Sequence, residues 1–349
     1  MAARTVGEII NTGFAMGASD IHIRVDRPPT YRINDRLLSR PEDNCLSAKE
    51  TREFGEQMLT DPRIRQMLED DGQVDFAQSY PGQGRVRANL FIQDGQWAAA
   101  IRIIAGTVPD LKELGLPGIV KKMTLREKGL ILVTGATGSG KSTTLAGMID
   151  FLNHSQNRHI ITLEDPIEYV HRQGTCIVNQ REIGGDIKSF ALGLRAALRQ
   201  DPDIIMVGEM RDPETVAIAM TAAETGHLVL ASLHSAGAVQ TLERIIDTFP
   251  PHQQAQVRMQ LASSLLGIIS QQLVPSREGD RRFLAVEILI MNQAIRNLIR
   301  ENKIHQIFSA IQTGSSLGMI SMDKALKLLG QQKKISSAEV NKRLQSEWQ

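Results

Sequence analysis

The chain has 349 residues, of which 42% are hydrophobic, a length and composition that favour about two domains with a sizeable core. Its net charge of +1 argues against general binding of polyanions, and its two cysteines exclude a disulfide framework and a four-cysteine zinc site. No apolar run approaches the roughly 18 residues that span a bilayer, and Arg4 and Glu8 interrupt any signal-peptide core, so we expect a soluble cytoplasmic protein.

Residues 1–104 have the pattern of a small α+β domain. A helical face over residues 5–16 precedes residues 20–25, whose apolar and polar side chains alternate as in a half-buried strand. Ser47 and Glu50 have the spacing of a capping box at the start of a helix. Closely spaced alternating stretches without intervening helices then predict an antiparallel sheet. These stretches are Val74–Ala77, Arg85–Ile92 and Trp97–Ile104.

The pattern changes after residues 105–117, which contain two glycines and two prolines and are the best candidate for a linker. In residues 118–349, almost wholly apolar runs alternate with helical segments, which predicts a mostly parallel sheet buried on both faces. The runs are Leu130–Val133, Ile160–Leu163, Ile204–Val207 and Leu228–Leu233. Ligands of such sheets bind beyond the carboxyl ends of the strands, so the polar residues after each run are functional candidates.

The first of these runs ends in a glycine-rich turn that leads into a helix, with the spacing of a phosphate-binding P-loop. Glycines let successive N–H groups point at one anion, and the helix adds its positive N-terminal end. We expect Lys141 to reach the outer phosphates of ATP and Ser142 to complete the shell of a Mg²⁺ ion. The predicted nucleotide-binding residues are Gly135, Ala136, Thr137, Gly138, Ser139, Gly140, Lys141, Ser142 and Thr143.

Acidic and histidine side chains follow the other apolar runs. Glu209 is the first carboxylate beyond its run and is the best candidate to orient the attacking water, with Glu164 as the second candidate. Asp165 is predicted to support Mg²⁺ and water. His234 follows the last run and His227 precedes it, and both are candidates to contact the phosphate end of the nucleotide.

Beyond residue 250 the sequence predicts helices around one strand region. An apolar stripe predicts a long helix from Pro250 to about Gln272, and Phe283–Met291 has the pattern of a strand or strand pair. Residues 294–301 have the pattern of an amphipathic helix, in which Ala294 would pack inward and Arg296 would face outward. Further helices are predicted near 303–312, 321–330 and 336–346.

Together these segments resemble the PilT-like type IV pilus retraction ATPases, within the wider secretion ATPase superfamily, over nearly the whole chain. The most diagnostic match is Ala294–Glu301, which agrees with the retraction motif residue for residue. The other matching segments are the P-loop Gly135–Ser142, the acidic box Ile161–Glu168, the Walker B segment Asp203–Glu209 with Gly208 in place of the usual aspartate, and the histidine box Thr225–His234.

The resemblance implies a PAS-like α+β N-terminal domain followed by a RecA-like P-loop ATPase domain. It further implies a homohexamer that hydrolyses ATP to power type IV pilus retraction and twitching motility. The implied partner is an inner-membrane pilus platform protein, with the ATPase on the cytoplasmic side and attached to the membrane only through partners.

In the resembled family, arginines complete the nucleotide site across domain or subunit boundaries. Arg85 and Arg87 share one face of a predicted strand in the first domain, which fits either a solvated surface or a phosphate or subunit contact. We include Arg85 among the nucleotide-binding candidates. Arg195, Arg199 and Arg211 are the candidates in the second domain.

Other functions fit parts of the pattern. Pilus-extension and type II secretion ATPases share the core, but they usually carry a longer N-terminal region and a tetracysteine zinc motif. A nucleotide-gated interaction module with little hydrolysis also needs a P-loop. A nucleic-acid translocase is disfavoured, because the chain is nearly neutral and lacks interleaved aromatic and basic residues.

Overall fold

The computed structural model describes residues 4–33, 36–80, 83–104, 108–172, 174–279 and 281–346. The chain divides into two compact units: Met1–Thr107 with Pro166–Val170, and Val108–Asp165 with His171–Gln349. No helix within the described ranges has the length and apolar character needed to cross a bilayer.

In its described residues, the first unit combines three helices with one sheet. Its elements are α1 (Val6–Ala15), β1 (Asp20–Ile23), β2 (Thr30–Ile33), β3 (Arg36–Ser39), α2 (Ala48–Met58), α3 (Pro62–Asp71), β4 (Gln73–Tyr80), β5 (Gly84–Gln93) and β6 (Gln96–Ile104). The six strands are ordered β3-β2-β1-β6-β5-β4, and each neighbouring pair is antiparallel. The predicted α+β character and antiparallel sheet are therefore confirmed.

Local signals and burial explain the helices of this unit. Ser47 Oγ accepts from the Glu50 N–H at 3.3 Å, and the Glu50 carboxylate accepts from the Ser47 N–H at 2.7 Å, which confirms the predicted capping box. Ile10 of α1 and Phe54 of α2 are buried in one core with Ile101 of β6. The helices thus cover one side of the sheet with the apolar faces predicted from their periodicity.

The second unit is a larger α/β structure. Its elements are α4 (Gly118–Thr124), β7 (Gly129–Thr134), α5 (Lys141–Ser155), β8 (His159–Glu164), β9 (Ile177–Glu182), α6 (Phe190–Ala197), β10 (Ile204–Val207), α7 (Pro213–Glu224), β11 (Leu228–Leu233), α8 (Ala238–Asp247), α9 (Pro251–Ser264), β12 (Leu265–Pro275), β13 (Arg282–Ile290), α10 (Gln293–Arg300), α11 (Ile307–Thr313), α12 (Met322–Gln331) and α13 (Ser337–Ser346), with 3₁₀ turns at Ile304–Gln306 and Gly314–Leu317.

Over the part of the second unit that the structure describes, its sheet has seven strands in the order β13-β12-β7-β11-β10-β8-β9. All neighbours are parallel except β13, which runs antiparallel to β12. Because side chains alternate along a strand, Leu130 and Leu132 of β7 join one core, whereas Ile131 and Val133 join another. The predicted mostly parallel sheet, buried on both faces, is confirmed.

The long helix predicted from Pro250 to about Gln272 is wrong beyond Ser264. Helix α9 ends at Ser264, and Leu265 begins β12, which pairs in parallel with β7. The apolar side chains after Ser264 are buried in the cores on both faces of the sheet. Their spacing in the sequence therefore also fits the apolar face of a continuing helix. This segment pairs with β7, the strand before the P-loop, and forms a strand although its apolar spacing also fits a helix.

Helix α10 also differs from its predicted orientation. Ile295 and Ile299 are fully buried as expected, but Ala294 is exposed. Arg296 is partly buried, and its guanidinium donates to the carbonyl oxygens of Ala262 and Ser263 at the C-terminal end of α9. The predictions that Ala294 packs inward and that Arg296 faces outward are therefore wrong, because the end of α9 offers carbonyl acceptors.

The segment predicted as a linker lies partly outside the described residues, at positions 105–107. From Val108 onward it is part of the second unit. Leu111 is 1% exposed and packs in a core of that unit. Gly147 of α5 allows this approach, because a Cβ there would lie 3.1 Å from the Leu111 side chain and from the Pro109 carbonyl oxygen.

Burial of His171 predicts a loss of stability in mild acid. Burial lowers the pKa of His171 to about 4 from its ordinary value of 6.5. Between about pH 4 and pH 6.5, the unfolded chain therefore binds a proton at His171 and the folded chain does not. As a result, the free energy of unfolding is largest above pH 6.5 and declines as the pH falls. The loss should reach about 2 kcal/mol at about pH 5.

Urea unfolding of the wild-type and His171→Gln proteins at about pH 7.5 and about pH 5 measures this effect. We expect the variant to lose about 2 kcal/mol less stability than the wild type between the two conditions. His252→Gln, at an exposed histidine of α9, is the control. An acid-induced loss that is equal in wild-type and His171→Gln protein would contradict the assignment.

Candidate functional site

The turn between β7 and α5 is a backbone cradle shaped by three glycines. Gly135, Gly138 and Gly140 have φ values of 145°, 76° and 89°, which glycine adopts with little strain. A Cβ on Gly135 would lie 2.5 Å from the carbonyl oxygen of Gln271 on β12. The turn leads directly into α5 at Lys141, so the positive end of the helix lies at the turn.

Lys141 is held inside this turn. Its residue is 8% exposed, and its Nζ donates to the carbonyl oxygens of Gly135 and Ala136 at 3.0 Å each. Nζ also lies 3.4 Å from Nδ1 of His234, which follows β11. The ammonium group is therefore placed between the backbone of the turn and a histidine from the neighbouring strand.

Glu209 connects this histidine to an arginine. His234 Nε2 lies 2.9 Å from Glu209 Oε1, and the Arg211 guanidinium donates to Glu209 Oε2 at 2.6 and 2.7 Å. The hydrogen bond from its guanidinium to Glu209 raises the pKa of Arg211 above its ordinary value. Continuous contacts thus run from Lys141 through His234 to Glu209 and Arg211.

The end of β8 brings a second carboxylate to the same edge of the sheet. Glu164 is 9% exposed, and its Oε1 accepts from Thr162 Oγ1 at 2.6 Å and from Gln180 Nε2 at 3.0 Å. Asp165 follows immediately and is exposed. Because β8 and β10 are parallel neighbours in register, both acidic residues lie on the sheet edge that holds Glu209.

The structure does not bring His227 to this site. His227 precedes β11, whose first residue pairs with the first residue of β7, whereas the P-loop follows the last residue of β7. The six residues of β11 separate the two edges by roughly 20 Å. His227 Nδ1 lies 3.0 Å from the carbonyl oxygen of Ala222 on α7. Its predicted position at the phosphate is thus wrong within one subunit.

The candidate arginines have different surroundings. Arg211 is bonded to Glu209, whereas Arg195 pairs with Glu214 and Arg199 donates to the Arg195 carbonyl oxygen. Arg85 belongs to the first unit, where its guanidinium donates to Ser79 Oγ at 3.2 Å. Of the three arginines in the second unit, Arg211 has the direct contact with a predicted catalytic residue.

The sequence analysis missed the polar side chains that support this edge. Thr162 and Gln180 lie side by side in the β8–β9 register and hold Glu164, and Gln271 Nε2 donates to Thr144 Oγ1 of α5 at 2.7 Å. A threonine inside the apolar run before Glu164 was the available signal. The sequence contained no comparable signal for Gln180 and Gln271, because their contacts depend on how the strands pair.

Comparison with known proteins agrees with this geometry. Residues 2–334 match the family model described as type II/IV secretion system protein. The chain belongs to this family. Within it, the chain is 45% identical over 324 residues to the type IV pilus retraction ATPase PilT of Pseudomonas aeruginosa, covering 92% of this chain and 93% of that protein. A twitching motility protein of Neisseria gonorrhoeae is 46% identical over 320 residues, covering 91% and 84%.

Among solved structures, a crystal structure of the pilus retraction motor PilT with bound ADP has a TM-score of 0.91 and 48% identity, and the match covers 97% of this chain and 96% of that one. The chain is therefore a PilT-like member of the type II/IV secretion system family. The resemblance stated from the sequence motifs, the fold class and the assignment as an ATPase are confirmed.

Proposed function

We propose that this PilT-like chain is the ATP-hydrolysing subunit of a hexameric motor that powers type IV pilus retraction. The observation that supports this most strongly is the run of contacts from the P-loop Lys141 through His234 to Glu209. These contacts link the P-loop to Glu209. Glu209 lies at the carboxyl end of a parallel strand, where it is the best candidate to orient the attacking water. PilT from Pseudomonas aeruginosa supplies the biological role by similarity.

Residues suited to Mg²⁺ lie beside the cradle. Ser142 is exposed on the first turn of α5, and Asp165 is exposed at the same sheet edge. Hydroxyl and carboxylate oxygens are the donors that Mg²⁺ prefers, and nucleotide sites commonly add only one or two protein ligands to phosphate and water. In the described ranges no cluster of three or more histidine, cysteine, aspartate or glutamate residues forms a separate metal cage. When bound, Mg²⁺ would neutralise charge on the phosphates.

The chain's own residues have distinct roles in the proposed hydrolysis. Lys141 moves from the turn carbonyls to a phosphate oxygen and stabilises its negative charge. Glu209 orients the attacking water and accepts its proton, directly or through a second water. His234 contacts both residues, so it holds Glu209 in position and transmits a change at Lys141 when phosphate leaves.

The remaining parts of the proposal concern assembly. The chain forms a homohexamer on the cytoplasmic face of the inner membrane, and it acts on a pilus platform protein rather than on nucleic acid. An arginine from a neighbouring subunit completes each nucleotide site, with Arg85 of the first unit as one candidate. Similarity to the PilT structure supports the hexamer, whereas the platform partner and the arginine follow from the family resemblance of the sequence motifs.

A site completed by a neighbouring subunit predicts that turnover depends on assembly. Loss of a cross-boundary arginine commonly costs roughly 10³–10⁵ in rate, so a dilute isolated subunit should hydrolyse ATP very slowly. Phosphate release per subunit, measured against protein concentration and compared with particle size, checks this. Full specific activity in a dilute monomer would contradict the shared site, and negligible release from the assembled ring would favour a nucleotide-gated switch instead.

A further inference from the structure

A buried carboxylate on β13 binds the first residues of two helices. Glu287 is 6% exposed, and its Oε1 accepts from the N–H of Ala238, the first residue of α8, at 2.8 Å. Its Oε2 accepts from the N–H of Met322, the first residue of α12, at 3.4 Å. Helix α8 has no side-chain cap from its own N-cap residue, Gly237, so a distant strand supplies the acceptor.

Glu287 belongs to a buried polar row across the sheet. It pairs in register with Ser270 on β12, and Ser270 pairs with Thr134, the last residue of β7 before the P-loop. Ser270 Oγ accepts from the Gly237 N–H at 2.9 Å, and Thr134 Oγ1 lies 3.4 Å from Thr241 Oγ1 of α8. The row therefore holds the start of α8 against the strand that carries the P-loop.

The start of α8 determines where His234 lies. Only residues 235–237 separate His234 from the helix. Arg244 of α8 donates to the His234 carbonyl oxygen, and Ser235 Oγ lies 2.7 Å from Thr241 Oγ1. A displacement of the first turn of α8 would move the imidazole relative to both Lys141 and Glu209.

We propose that Glu287 is a positioning residue for ATP hydrolysis, which anchors α8 and thereby His234, and which ties this anchor to α12 in the C-terminal helices. The proposal rests on the proposed role of His234. It also gives the C-terminal helices a physical route to the hydrolytic site, because a shift of α12 would move the carboxylate whose other oxygen holds α8. Within the P-loop turn, Lys141 is held by the carbonyl oxygens of Gly135 and Ala136 rather than by Glu287.

The substitution Glu287→Gln tests the proposal in the full-length protein. The amide keeps the shape of the side chain but offers one acceptor oxygen, so one of the two helix starts loses its bond. Since a misplacement of about 1 Å at a catalytic group can cost up to roughly 100-fold, we expect kcat to fall by about 10- to 100-fold. The KM for ATP should change by less than about threefold, because the P-loop stays intact.

A double-mutant cycle with His234→Ala separates positioning from general damage. If Glu287 acts through His234, adding Glu287→Gln to His234→Ala should lower kcat by less than about threefold further. Asn292→Ala is the control, because it removes the side-chain cap of α10 rather than a bond to the start of α8, and it should leave kcat unchanged. Ser270→Ala removes the acceptor of the Gly237 N–H and replaces Glu287→Gln if that variant does not fold.

The outcomes distinguish this inference from the proposed function. A reduced kcat for Glu287→Gln that is absent in the His234→Ala background supports the inference. Two results would overturn the inference and leave the proposed function intact. In the first, Glu287→Gln lowers kcat by the same factor in the His234→Ala background as in the wild type. In the second, Glu287→Gln leaves kcat unchanged while His234→Ala lowers it. An unchanged kcat for His234→Ala removes the proposed role of His234 and the inference with it.

Discussion

The Lys141→Ala protein is expected to lose nearly all ATP affinity and to hydrolyse ATP at least about 10³-fold more slowly than the wild type. The ammonium is the cation held within the P-loop turn, with its residue 8% exposed and its Nζ bonded to the Gly135 and Ala136 carbonyl oxygens. In the variant, a phosphate bound in the turn would still contact the N-terminus of α5, but it would lack the Lys141 ammonium, its strongest charge partner. Equilibrium nucleotide binding and steady-state phosphate release measure the two effects.

Lys128→Ala is the matched control for this prediction. Lys128 immediately precedes β7 and is exposed, so it lies at the opposite end of the same strand from the P-loop. Its removal changes the net charge equally and should leave affinity and turnover unaltered. Equal behaviour of the two variants would rule out the P-loop as the nucleotide site.

The Glu209→Gln protein is expected to bind ATP normally but to release phosphate about 10²- to 10⁴-fold more slowly. Glutamine keeps the size of the side chain but removes the charge that faces His234 and Arg211 at 2.9 and 2.6 Å. It therefore cannot act as the base, and it holds His234 less firmly. Single-turnover hydrolysis, together with ATP affinity, separates the chemical step from binding.

Glu243→Gln provides the comparison for Glu209, because Glu243 is an exposed carboxylate in the middle of α8 and its replacement makes the same charge change. It should hydrolyse ATP at the wild-type rate. Phosphate release that is unaffected by Glu209→Gln would remove Glu209 from the mechanism and leave Glu164 as the candidate. A parallel loss of ATP affinity would instead indicate a structural role.

The P-loop was predictable because its chemistry is local in the sequence. Glycine spacing, a preceding apolar run and a following helix all occur within residues 129–155, and the structure has the strand, turn and helix in those places. Glu164, Glu209 and His234 required one further rule, that parallel strands end at a common edge. That rule brought together residues whose contacts span up to 93 positions.

The failures of prediction have physical causes in tertiary structure. His227 and His234 were both predicted to contact the phosphate end of the nucleotide, but a strand of six residues separates them and places them at opposite sheet edges. Strand β12 resembled the continuation of a helix, because burial on both faces places apolar residues at Leu265, Leu266, Ile268 and Ile269, which also fit a helical stripe. Supporting contacts such as that of Gln180 with Glu164 depend on strand register, which periodicity alone does not determine.

The most direct test of the account is a structure of the assembled protein with Mg²⁺ and a non-hydrolysable ATP analogue. We predict that the β- and γ-phosphates lie in the turn Gly135–Lys141, that Lys141 Nζ exchanges its carbonyl partners for a phosphate oxygen, and that Glu209 faces the γ-phosphate across the same cleft. Phosphates bound elsewhere, or a Lys141 that keeps both carbonyl bonds with nucleotide present, would contradict the account.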